Sequence, residues 1–246
     1  MANFELISFA SADELASRAA ALWLDEIEVA NRAKKSHCVA LSGGRITQKF
    51  FAAAVAQDRA RKVSFAPVHF FWADERCVPP TDSESNFKMA DELLFQPLKI
   101  SADKIHRLRG ELAPAAAVKI AEEEIRHFAP TGETNLPALD LVLLGMGEDG
   151  HVASLFPNAL PEVLNCTAPF LMVDNSPKPP PRRISLSYAA IAAAREVWVL
   201  ASGAGKEKIF QDSLSADGST PLARVVQARR PQSPVKIFTD LAGIPH

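Results

Sequence analysis

DLVLLGMGEDGHVASLFP, residues 140–157, sets an apolar run against a glycine-rich, acidic loop that ends in a histidine. The run, taken over residues 139–144, has the length and composition of a fully buried strand, and Gly145-Met146-Gly147 marks its end. The same order recurs upstream. Residues 37–41 form a short apolar run that ends in Ser42-Gly43-Gly44, ahead of a helical pattern over 47–58; residues 68–73 form a β-branched and aromatic run that ends in Asp74-Glu75-Arg76. Further strands are predicted over 170–173, 196–201 and 235–239, with helices over 115–128 and 206–214. Strands alternating with helices predict an α/β fold, a mostly parallel central sheet covered by helices on both faces.

The first helix is announced by Ser11-x-x-Glu14, a capping-box pattern, followed by apolar residues at helical spacing through Leu15, Ala19, Leu22, Leu24 and Ile27. Near the other end, SPKPPPRR (residues 176–183) concentrates prolines that cannot donate to a ladder, which predicts a stiff extended loop over the sheet edge rather than a domain boundary. With no solenoid repeat and no low-complexity tail, residues 1–246 are read as one domain.

Composition excludes several classes of function. The 246 residues are 48% hydrophobic, enough for a sizeable core, and 27 basic against 29 acidic side chains leave no general field for nucleic acid or a membrane surface. An anionic ligand must then be held by locally placed cations. Cys38, Cys77 and Cys166 are far apart and odd in number, which argues against a disulfide frame and for a reducing compartment; Cys77 is read as a packing residue. The N-terminus has no basic segment followed by an apolar one, and no stretch approaches ~18 uninterrupted apolar residues, so a soluble cytoplasmic protein is expected. Zinc spacings such as H-E-x-x-H are absent and the six histidines are scattered, so no metal is expected.

In open parallel sheets, ligands bind beyond the carboxyl ends of the strands, and three internal strands here end in polar clusters. Ser42-Gly43-Gly44 offers backbone amides to a phosphate at a helix start, with the hydroxyls of Ser42 and Thr47 as further donors; alone it is also an ordinary tight turn. Asp74-Glu75-Arg76 brings a guanidinium suited to an oxyanion or a phosphate, although a solvated loop would read the same. Gly145 to His151 packs three glycines, two acids and a histidine into seven residues. A histidine can take a proton from water while a carboxylate, Asp149 or Asp74, holds its tautomer. The block lacks the setting of a dinucleotide fingerprint, so no nicotinamide cofactor is expected, nor any other. Lys178, Arg182 and Arg183 of the proline loop and Lys206 after the strand at 196–201 are further candidate phosphate ligands.

At these residues the chain resembles the 6-phosphogluconolactonase family, in which DER-x-V-P, S-N, DLVLLGMG-x-DGH-x-ASLFP and SPKPPP-RR-I occur in this order; the match covers nearly the whole chain. The resemblance implies the modified Rossmann-like sandwich shared with glucosamine-6-phosphate isomerase/deaminase proteins. It also implies hydrolysis of 6-phospho-D-glucono-1,5-lactone in the oxidative pentose phosphate pathway. His151 would be the general base, Arg76 and Asp74 would shape the site, and Ser42, Gly43, Gly44, Lys206 and one or both of Arg182 and Arg183 would hold the phosphate, with Lys178 nearby. The expected partner is the phosphorylated sugar lactone alone, and the expected state a monomer or weak homo-oligomer. The family commonly continues SGG with Ser-Thr-Pro or Thr-Pro, whereas Arg45-Ile46-Thr47 stands here, leaving Arg45 to supply the missing contact or to point to solvent.

Two alternatives compete. A deaminase-like isomerase typically reads DEY, and a glutamate five residues beyond the DGH histidine; here Arg76 and Phe156 occupy those places, and losing that carboxylate handicaps a reaction that needs acid/base groups at several centres. A non-catalytic sugar-phosphate sensor would keep the phosphate turn but has no need of His151 beside Arg76.

Overall fold

The computed structural model describes residues 3–132 and 134–242. β1 (Phe4–Ser8) leads into α1 (Ala12–Ala33), whose start is fixed by the expected capping pair. Ser11 Oγ accepts from the Glu14 amide at 3.2 Å, and Glu14 Oε2 accepts from the Ala10 amide at 3.0 Å. β2 (His37–Leu41) turns through two glycines into α2 (Arg45–Arg61), which begins two residues before the predicted helix and ends three after it. β3 (Val68–Trp72) is followed at once by the short β4 (Asp74–Arg76), then by α3 (Asn86–Ala90), a π-helical turn at Asp91–Phe95, α4 (Gln96–Leu98) and α5 (Pro114–Phe128). The second half runs β5 (Leu141–Gly145), α6 (Pro161–Leu164), β6 (Phe170–Val173), β7 (Arg183–Leu186), α7 (Tyr188–Ala193), β8 (Glu196–Ala201), α8 (Glu207–Leu214), α9 (Pro221–Ala228) and β9 (Val235–Thr239).

Six strands form the central sheet in the order β1-β9-β8-β5-β2-β3, every pair parallel. β2 and β3 are buried along their whole length and β5 and β8 nearly so because both faces are covered, whereas edge strand β1 exposes Glu5 and Ser8. On one face Trp23 of α1 meets Phe50 of α2 at 5.4 Å and Phe70 of β3 at 6.3 Å. Phe70 pairs in register with Val39, so the adjacent Cys38 faces the other way, where its thiol meets the carbonyl of Phe128 at the end of α5. Burial there pushes the Cys38 thiol up to about 12, which leaves it an inert core group.

One prediction needs correcting. Residues 170–173 belong not to the parallel sheet but to a separate antiparallel sheet in the order β4-β7-β6. A parallel return would need a crossover of a dozen or more residues; the proline segment instead carries the chain straight back from β6 to β7 as a hairpin. β1, β4 and β7 are not among the predicted strands. β4 has only three residues, and β7 starts two residues after the last proline of the loop, so neither offers enough alternation to read.

This topology fixes where a ligand can sit. From β2 the chain moves outward to β3, whereas from β5 it moves the other way through β8 and β9. The connections leaving the carboxyl ends of the neighbouring strands β2 and β5 therefore diverge, and the crevice between them is the switch point at which open parallel sheets bind ligands.

Candidate active site

A cleft of about 540 Å³ opens at that switch point. Its first wall is the turn after β2. Ser42 is buried and its Oγ donates to the Leu143 carbonyl at 2.8 Å, tying β2 to β5. Gly44 sits at φ 107°, a backbone conformation glycine adopts without steric cost, and no side chain caps α2 behind it. The first amides of α2 are thus left to an external acceptor, with the positive end of the helix behind them. Thr47 differs from expectation: its hydroxyl turns inward and donates to the Gly43 carbonyl at 3.0 Å, so it is not a ligand donor.

The second wall comes from β4 and the segment before α3. Glu75 is buried, and its two oxygens accept from the amides of Arg76, Asn86 and Phe87, each at 2.8 Å, and from Ser85 Oγ at 3.1 Å. Burial pushes its carboxyl up to about 7 against the pull of those amides. This clamp places Asn86, which lines the cleft and donates to the Asp74 carbonyl at 2.9 Å and to Asp74 Oδ1 at 3.3 Å. Asp74 Oδ2 accepts from Ser154 Oγ at 2.6 Å. Arg76 reaches the Glu84 carbonyl with Nη1 at 2.7 Å, while its Nε is buried without a protein partner.

The loop after β5 carries the histidine. His151 Nδ1 lies 2.5 Å from Asp149 Oδ1, and the same oxygen accepts from the His151 amide at 3.2 Å. Of the two carboxylates considered for orienting the ring, Asp149 is the one in place. Burial raises the Asp149 carboxyl, but the hydrogen bond and charge of His151 outweigh it and hold it at about 2. With Nδ1 committed, Nε2 is the nitrogen left for chemistry. Gly147 is needed here because a Cβ at that position would stand 2.1 Å from the imidazole, so this glycine makes room for the histidine itself rather than for a ligand. Phe156 returns against the ring, with centroids 4.8 Å apart.

Six cations line the cleft, Arg45, Lys49, Arg76, Lys178, Arg183 and Lys206, against three carboxylates, Asp74, Glu84 and Glu148. The excess favours an anionic ligand. Lys206 immediately precedes α8 and donates to the Met146 carbonyl at 2.6 Å; burial, and then the Arg45 charge, push its ammonium below the usual lysine range, a cost that a bound anion would relieve. Arg45 stands at the cleft rather than away from it. Arg183 is buried and spends its guanidinium on the carbonyls of Lys178, Pro179 and Pro180 at 3.0, 3.4 and 3.2 Å. Arg182 does not line the cleft. Adjacent residues of an extended chain face opposite ways, and Arg182 lines a separate recess with Cys77 and Pro79. Cys77, half-buried with its thiol pushed up by burial, stays clear of the cleft.

Asn86 and Lys49 belong to the cleft although no sequence signal assigned them a role. Asn86 was visible only as the second letter of the S-N block, and Lys49 follows Arg45 by one helical turn, the spacing that would have found it. Among the described residues no group of three or more His, Cys, Asp or Glu is placed to hold a metal ion, and no helix is long and apolar enough to cross a membrane.

Residues 10–234 match the family model described as glucosamine-6-phosphate isomerases/6-phosphogluconolactonase. A 6-phosphogluconolactonase of Treponema pallidum is 38% identical over 187 residues, covering 76% of this chain and 74% of the relative. One from Mycobacterium tuberculosis is 37% identical over 205 residues, covering 80% and 81%. The structure of 6-phosphogluconolactonase from Trypanosoma cruzi superposes with a TM-score of 0.81 at 25% identity, over 96% of this chain and 94% of that one.

Proposed function

Since the chain belongs to the glucosamine-6-phosphate isomerase/6-phosphogluconolactonase family, we propose that it hydrolyses 6-phospho-D-glucono-1,5-lactone to 6-phosphogluconate, the ring-opening step of the oxidative pentose phosphate pathway. One observation carries this reading: the Asp149–His151 pair opens on a cleft whose lining gathers Arg45, Lys178 and Lys206.

In this mechanism His151 Nε2 takes a proton from a water molecule, and the oxygen attacks the lactone carbonyl carbon. Asp149 holds the tautomer and stabilises the imidazolium that forms. Arg76, which lines the cleft, is the group of this wall suited to the developing oxyanion. The bond from the carbonyl carbon to the ring oxygen then breaks, and the imidazolium returns its proton to that oxygen. Arg45, Lys206 and the free amides at the start of α2 hold the phosphate, whose remote binding energy orients the carbonyl toward His151. Lys178 completes this cationic side, and Arg183 keeps its loop in place. Asp74 acts as a scaffold between β4 and the turn after His151.

The deaminase alternative lacks its carboxylate: Phe156, an apolar ring, lies against His151 instead. The sensor alternative leaves the Asp149–His151 pair without a purpose. The test is to generate the lactone by oxidising glucose 6-phosphate with its dehydrogenase and follow its decay. Decay faster than the enzyme-free rate, with no ammonia released from glucosamine 6-phosphate, supports the reading. An unchanged decay together with tight binding of 6-phosphogluconate would make the protein a sensor.

A further inference from the structure

Phe156 has two ring neighbours, and both are polar groups of the cleft. The His151 imidazole lies 4.8 Å away at a tilt of 47°, and the Arg183 guanidinium carbon stands over the phenyl ring at 5.6 Å. The chain is bent to bring this about. Leu155 donates its amide to the Val152 carbonyl at 3.0 Å, Ala153 takes φ 49°, and Ser154 pins the turn to Asp74, so that residue 156 doubles back over residue 151. Phe156 lines the cleft yet is only 9% exposed.

Its neighbours are restrained on their far sides. Asp149 fixes Nδ1 of the imidazole, and three carbonyls of the proline segment fix the guanidinium. A hydrogen bond at one ring nitrogen leaves the imidazole free to swing about that contact, and an apolar ring packed against it at a tilt limits this freedom. The same ring accepts the guanidinium on its own face, a favourable arrangement of cation and π cloud. Arg183 and His151 thus share one aromatic neighbour.

We propose that Phe156 is a positioning residue for the lactone hydrolysis assigned above, limiting the swing of the His151 imidazole about its bond to Asp149. The inference rests on that reading, and the experiment separates the two. Wild-type lactonase activity is measured first, and its absence defeats the functional reading. Given an active wild type, Phe156→Leu, which keeps an apolar side chain but loses the flat face, lowers kcat on the order of 10- to 10²-fold, as misplacement of a reacting group does, while KM stays within about threefold. Phe156→Tyr keeps the ring and retains most of the rate.

The decisive arm repeats Phe156→Leu in a His151→Ala background. A residue that acts through the imidazole has nothing left to position, so the second substitution no longer changes kcat. Thermal melting shows which variants fold; if Phe156→Leu does not, Phe156→Met replaces it. A wild-type kcat in the folded leucine or methionine variant overturns the proposal, as does an equal loss with and without His151.

Discussion

Ser154 Oγ donates to Asp74 Oδ2 across 2.6 Å, and both residues are enclosed. The bond joins the turn that follows His151 to the strand that carries Arg76. The base, on the loop after β5, and the guanidinium wall, on β4 of the other sheet, are therefore held in one register. Asp74 is saturated by this role, since Asn86 takes its other oxygen, and the carboxylate that orients the histidine is its own neighbour Asp149.

Asp149→Asn removes the negative charge opposite the imidazolium while leaving a side chain of the same shape. The expected loss in kcat is roughly 10²- to 10⁴-fold with an unchanged circular dichroism spectrum, because an amide can hold either tautomer. A variant within twofold of wild type would take Asp149 out of the mechanism. Since Asp149 is held at about 2, it stays charged down to about pH 3, and any loss of activity between pH 7 and 5 belongs to another group.

Lys206→Ala is expected to raise KM roughly tenfold or more and leave kcat within a few fold, since the lysine contributes remote binding rather than chemistry. Inhibition by inorganic phosphate should weaken in parallel. An unchanged KM would remove Lys206 from the phosphate site and leave Arg45 and the α2 amides to carry it.

Glu75→Gln tests the clamp beneath the second wall. Each carboxylate oxygen accepts from two donors, so whichever way the amide is turned its NH₂ meets an amide hydrogen. The expected cost is about 1–3 kcal/mol in urea unfolding, the range for a buried polar group left without its partner. A loss below about 0.5 kcal/mol would show that the clamp relaxes freely.

Glu26, half-buried on α1, has its carboxyl pushed up to about 8, first by burial and then by the Glu196 charge. Between its unfolded value near 4.5 and that folded value, the native chain keeps a proton that the unfolded chain has released, so stability falls as pH rises through this window. Glu26→Gln removes the penalty. Its melting temperature should therefore gain on wild type between pH 5 and pH 8.5; a constant difference across those pH values would contradict the shift.

The central sheet was legible because its strands carry a strong signal. β2, β8 and β9 begin and end where predicted, since a largely buried strand reads as a nearly unbroken apolar run. Pairing of β6 was not legible, because direction depends on how the chain returns and not on the strand's own residues. The site was legible where glycine and charge coincide at strand ends, as at His151 and Lys206. It was not legible where a residue acts by facing: Arg182 and Arg183 are identical letters whose opposite orientations follow from the extended backbone, and Thr47 is a hydroxyl that its own helix consumes.

The most direct measurement compares the decay of 6-phosphogluconolactone in the presence of wild-type protein and of His151→Ala, each corrected for the enzyme-free rate. Loss of a general base predicts a fall in kcat of roughly 10²- to 10⁴-fold with binding of 6-phosphogluconate retained. A folded His151→Ala variant that turns over the lactone at near wild-type rate would contradict the account.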